Sequence, residues 1–144
     1  MTGVQTSALP IFKRMRSEQG AAAVEFALLL LPLVLLLFGT VEFGIAIYAR
    51  EVLVNASREG ARAGIVSRTP KLGTTEVTAV VNNALTNSLI LNPSLANVTI
   101  NGAGGAYPAT LSVAIVYPYS LLFPSLFNVG SGFNLTAQTV MVHE

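Results

Sequence analysis

Residues 26–41 read "FALLLLPLVLLLFGTV", an unbroken apolar stretch with no charged side chain. As a helix it would run about 24 Å, at about 1.5 Å per residue, whereas a bilayer core takes about 20 apolar residues. Adding residues 21–24 and 43–48 makes the span adequate, so residues 21–48 are expected to form the anchor. Glu25 and Glu42 then lie near the two membrane–water boundaries; at the centre a carboxylate would cost about 3 kcal/mol. Tyr48 suits the outer interface. The stretch has no polar face, so it fits poorly as a buried helix of a soluble domain. Pro32 removes the amide that would bond to Leu28 and predicts a modest bend, which membrane helices tolerate.

The rest of the chain is small and chemically sparse. At 144 residues it allows one modest domain, or a membrane anchor with a small head. Apolar residues make up 52% and charged ones 10%, against roughly 25% charged in ordinary soluble domains. The formal net charge of +1 supplies no polybasic surface for nucleic acid. The absence of Cys rules out disulfides, thiolate metal sites and Cys nucleophiles. There is no Asp, and the one His, His143, stands beside the C-terminus, where it reads as an exposed polar residue. Paired carboxylates, a phosphate-binding glycine loop and HExxH spacing are all missing. The "GAGGA" at residues 102–106 lacks GxGxxG spacing and reads as a turn. These features point away from an enzyme and imply no catalytic residues, metal, cofactor or small-molecule substrate.

Lys13, Arg14 and Arg16 precede the apolar stretch, opposed only by Glu18. The positive-inside bias places the N-terminus in the cytoplasm and sends the C-terminal part outward. A cleaved secretory signal also has a basic start and an apolar core. It would need a shorter core and a small-x-small cleavage site. Here the helical pattern continues through Arg50, favouring a retained single-pass segment.

Beyond the stretch, residues 42–66, "EFGIAIYAREVLVNASREGARAGIV", keep a helical period. Glu51, Asn55, Arg58, Glu59 and Arg62 share one stripe, and Val52, Leu53, Ala56, Gly60, Ala63 and Gly64 fall opposite. Ala56, Gly60 and Gly64 recur every four residues, a spacing that admits close approach of another element. That element is either the chain's own head or a helix of another subunit. Glu42 projects onto the same side, which makes it a candidate for an ionic contact with a neighbour. Snorkelling to the outer interface is the alternative.

Residues 67–74, with Thr69-Pro70 and Gly73, break the helix, and residues 75–91 read as a second one. Thr74 or Thr75 is the expected N-cap, and Asn92-Pro93 the stop. Alternation predicts strands at residues 96–101, 110–117 and 133–142. Residues 118–132, "PYSLLFPSLFNVGSG", are too irregular to assign. The fold class is α+β: a long N-terminal transmembrane-to-amphipathic helix, a second short helix, and a small antiparallel sheet of about three strands covered on one face by helix.

One local pattern adds a functional expectation. Gly20 precedes Ala21, Glu25 stands five residues after the glycine, and Phe26 and further apolar residues follow. This resembles the prepilin-peptidase processing motif of type IV pilins and pseudopilins, in which a membrane aspartyl protease cuts after the glycine. A wider stretch, residues 20–66 from "GAAAVEFALLLLPL" through "NASREGARAGIV", resembles the TadE-like family of tight-adherence (Flp) pilus pseudopilins. The resemblance implies a pilin-like pseudopilin or minor pilin of a type IVb pilus system related to type II and type IV secretion. Gly20–Ala21 would be the scissile junction and Glu25 the assembly glutamate. Phe26 takes the place where Flp-type major pilins usually carry tyrosine, a departure that bears on cleavage efficiency. The implied organisation is a leader at residues 1–20, a transmembrane and extended helix at 21–66, and an extracytoplasmic α+β head at 67–144. The implied location is the bacterial inner membrane, in single pass, with pilus association. The implied partners are the prepilin peptidase, other pilins or pseudopilins, and tight-adherence assembly proteins. An unprocessed single-pass scaffold or binding module of a cell-envelope complex is the alternative. The opening "MTGVQTSALPIF" has no leader-like basic character and resembles translated sequencing-adapter read-through. Met15 is then a candidate start, Lys13 and Arg14 would not be native, and residues 1–12 are expected to be disordered.

Overall fold

A computed structural model describes residues 11–124, 130 and 132–144, with side chains from Gly20 onward. Among the described residues, five elements and a short 3-10 turn follow in order: α1 (Ile11–Ile65), α2 (Thr74–Thr86), the turn Pro93–Leu95, β1 (Asn97–Asn101), β2 (Thr110–Ser120) and β3 (Gly132–Val142). The chain divides into two compact units, Met1–Gly39 and Thr40–Glu144. Residues 1–10 lie outside the described residues, as do 125–129 and 131 in the β2–β3 connection. Disorder was expected through Phe12, but Ile11 and Phe12 already belong to α1.

In the first unit the side chains from Gly20 to Leu33 are all exposed. α1 is long and apolar enough to cross a membrane, and its most apolar part is not buried inside the chain. Pro32 is accommodated within the helix.

The second unit is built on one face of a three-stranded antiparallel meander, in the order β1-β2-β3. Alternation along β2 sends Leu111, Val113, Ile115, Tyr117 and Tyr119 to the core, and β3 adds Leu135 and Ala137. Against this face lie Val77, Val81 and Leu85 of α2 and the small-residue stripe of α1, including Ala49, Leu53, Ala56 and Ala61. The polar stripe read from the sequence, Glu51, Asn55, Arg58, Glu59 and Arg62, is exposed throughout. The sheet is therefore apolar on its helix-covered face, where burial removes water from branched side chains, and mixed on the other, where Val116, Val140 and Val142 are exposed among serines and threonines.

Two elements differ from the expectation in extent. β2 continues past Tyr117 through Pro118 to Ser120. Pairing with β1 ends at Val116, so beyond it β2 has a free side, the position in which a sheet tolerates proline. α2 stops at Thr86, short of residue 91. Ser88 Oγ accepts the amides of Ile90 and Leu91, both at 3.3 Å, and this local alternative ends the helix early. Its N-cap is Gly73 in place of either threonine, with no side-chain cap bond, and Glu76 follows in the first turn. Asn92 does not stop α2; its Oδ1 accepts the Ser94 amide at 3.1 Å and starts the 3-10 turn, with Pro93 in first position.

Candidate functional site

The residues singled out from the sequence fall into two groups, one in each unit. In the first, Gly20, Ala21, Glu25 and Phe26 lie on α1 with exposed side chains, and a Cβ built on Gly20 meets nothing within 4 Å.

The second group is packed. A Cβ on Gly60 would overlap Val81, and one on Gly64 would overlap Leu111 and crowd Val77. The four-residue repeat of small side chains thus lets α1 lie directly on α2 and β2 of its own head. Ala56 belongs to the same core. Ser57, fully buried beside it, gives its hydroxyl to the Val54 carbonyl and shares a 2.8 Å bond with Thr139 on β3. Such pairing is what a buried hydroxyl requires.

Glu42 is the most constrained ionisable side chain described. It is 6% exposed, and its Oε1 accepts the Tyr119 hydroxyl at 2.9 Å. Its Oε2 accepts the Leu122 amide at 2.9 Å and the Phe123 amide at 3.3 Å. A carboxylate leaves water cheaply only when hydrogen-bond donors replace it, and here three do. The side chain neither reaches out to solvent nor projects from the head; it ties the end of β2 to α1. Burial first, then the hydrogen bond to Glu42 and the charge of its carboxylate, push the Tyr119 hydroxyl from 10.0 up to about 12. Tyr119 also packs its ring on Phe133, its cross-strand partner, with centroids 5.4 Å apart and a 48° tilt. Sequence reasoning missed Tyr119 because Pro118 masked the continuing alternation. Leu111-x-Val113-x-Ile115-x-Tyr117-x-Tyr119 was the available signal.

His143 is also misread from sequence alone. It is 1% exposed, not a surface residue. Its amide donates to the Ala109 carbonyl at 2.9 Å, and its Nε2 donates to the Gly102 carbonyl at 2.8 Å. Gly102 and Gly104 hold positive φ in the β1–β2 connection, and Lys71 Nζ donates to the Gly105 carbonyl at 2.7 Å. His143 therefore clamps this turn to the end of β3. A residue next to a terminus was expected to be exposed; strand pairing through Val142 carries it into the fold instead. Its Nδ1 is buried without a hydrogen-bond partner. Among the described residues no group of three or more His, Cys, Asp or Glu could hold a metal ion.

Residues 20–62, under a third of the chain, match the family model for TadE-like proteins. No curated protein and no solved structure gives a significant match. The matched residues run from the exposed glycine at position 20 through most of the helical stripe that packs on the head. Residues 20–62 of this chain are therefore similar to TadE-like proteins.

Proposed function

We propose that this chain is a pseudopilin or minor pilin of a tight-adherence (Flp, type IVb) pilus assembly system. In this reading a prepilin peptidase cuts between Gly20 and Ala21, residues 21–66 form the transmembrane and extended helix, and residues 67–144 complete an extracytoplasmic head. The observation that carries it is the TadE-like match beginning at Gly20, on a helix whose apolar side chains are exposed and long enough to cross a bilayer. The protein then sits in the inner membrane with a cytoplasmic N-terminus and works by assembling with other pilins and tight-adherence proteins, not by catalysis.

The chemistry gives Glu25 a role. Cleavage frees a cationic α-amino group at Ala21. An exposed carboxylate near the membrane edge can neutralise such a cation on a neighbouring subunit. A pair of this kind adds little stability but fixes register, because misalignment leaves a charge unpaired in lipid. Phe26, exposed beside it, is available to the same contact.

Co-expression with a prepilin peptidase followed by N-terminal sequencing tests the reading. The expected product starts at Ala21 and disappears in Gly20→Ala. An intact leader in the presence of active peptidase would favour an unprocessed membrane scaffold. Glu25→Ala is expected to insert normally and to lose pull-down of partner pseudopilins; wild-type pull-down would remove the register role.

A further inference from the structure

Charge is distributed unevenly over the unit Thr40–Glu144. Apart from Glu42, every Lys, Arg, Asp and Glu in it stands at or beyond Arg50, and from Val77 through His143 there is none. At the end of β2 that meets α1 at Glu42, apolar side chains are exposed on several elements. Leu122, whose amide Glu42 holds, is 57% exposed, and Phe133, packed at a tilt against Tyr119, is 47% exposed. Phe43 and Ile47 on α1 are exposed as well. Tyr48 lines a shallow cleft with Ser88, and Leu89, which follows Ser88, is 99% exposed. Leucines and phenylalanines brought to one end of a small domain by separate segments mark a surface that meets something apolar.

The chain itself indicates what that is. Residues 21–41, which directly precede Glu42, number twenty-one, or about 32 Å of helix at about 1.5 Å per residue. That matches a hydrocarbon core of about 30 Å, so extension to residue 48 is unnecessary. Glu42, sealed by three donors, then marks the outer boundary of the span. We infer that the Glu42 end of the head is a lipid-seating rim, in which Leu122, Phe133, Phe43 and Leu89 rest in the headgroup region of the outer leaflet. The inference deepens the membrane reading of residues 21–41 and rests on it. Glu42 acts as a positioning residue, drawing the Leu122 and Phe123 amides onto α1 so that the turn lies flat at the interface. Its carboxylate needs no water there, because its hydrogen bonds come from the protein. An uncharged rim binds by apolar contact, so its seating is expected to be insensitive to salt and to anionic lipid.

The chain contains no Trp, so single-tryptophan reporters in the full protein read depth directly. Leu33→Trp probes the span, Leu122→Trp and Phe133→Trp the rim, and Tyr107→Trp, 75% exposed in the β1–β2 connection, the other end of the sheet. In phosphatidylcholine vesicles brominated at shallow or deep acyl positions, Leu33→Trp should lose emission to the deep bromines. Both rim probes should be blue-shifted and lose a comparable share to the shallow bromines, equally at low and high salt. Tyr107→Trp should lose none. Far-UV circular dichroism and a urea midpoint matching the parent establish that each variant is folded. Quenching of Leu33→Trp with rim probes that behave like Tyr107→Trp would overturn the rim and leave the anchor standing. Rim probes that shift only as protein density rises, without bromine quenching, would assign the surface to a protein partner and also overturn it. Failure of Leu33→Trp to quench would instead remove the anchor, and the rim with it.

Discussion

The tripeptide Val-Glu-Phe occurs twice on α1, at residues 24–26 and 41–43, with opposite fates. Glu25 is exposed, whereas Glu42 is enclosed by Tyr119 and two backbone amides; Phe26 and Phe43 are both exposed. Both copies are helical, so local propensity does not separate them. The difference comes from residues some eighty positions downstream, which close over Glu42. A carboxylate with protein donors around it is structural, and one without them is available for a partner.

The largest test breaks the enclosed copy. Glu42→Ala leaves a buried hydroxyl and two amides without their acceptor, a loss of about 3 kcal/mol for the unit Thr40–Glu144. Urea titration in detergent, followed through the tyrosines in near-UV circular dichroism, reads it directly. An unchanged midpoint would mean that the three bonds are replaced by water at no net cost.

Alkaline titration sharpens the same contrast. The folded Tyr119 hydroxyl ionises near pH 12 and its unfolded counterpart near 10.0. The unfolded state therefore loses its proton first, and stability, fully present below pH 10, falls as pH rises from about 10 to 12. Glu42→Gln should shrink this decline without abolishing it, because burial is the leading cause of the shift. A decline of the same size in Glu42→Gln would count against the carboxylate's share.

A smaller effect separates the glycines of the same helix. Gly44→Ala enters open space and should stabilise by up to about 1 kcal/mol through helix propensity. Gly60→Ala gains the same propensity but forces Val81 aside. Overpacking of about 1–3 kcal/mol leaves a net loss of about 1 kcal/mol. Midpoints that move the same way in both variants would place another surface against Gly60. The smallest expected effect is that of Glu25→Ala, which should leave the urea midpoint of the head where it is; a shift would mean that Glu25 has a structural partner.

Much of this organisation is legible along the chain because it is periodic. The uncharged window after Glu25, the 3.6-residue stripe through Arg62 and the two-residue alternation of β2 and β3 each repeat a signal, and repeated burial on one face admits few alternatives. Legibility fails where one contact decides. A serine turn ends α2 at Thr86, although Leu89 and Ile90 continue its apolar pattern. Proline conceals that Tyr119 lies in a strand, and strand pairing buries a histidine that sits one residue from the end.

By itself, the sequence determined that an uncharged apolar helix leads into a small α+β head, because hydrophobic periodicity is a local property. It also carried the stretch that matches the TadE-like family model, with Gly20 and Glu25 five residues apart. Only the tertiary structure decided that Ala56, Gly60 and Gly64 face the chain's own valines and leucines. The same holds for Glu42, which is enclosed while Glu25 stays open. Burial and hydrogen-bond satisfaction depend on which distant segments arrive at a position, and an identical tripeptide holds no information about that.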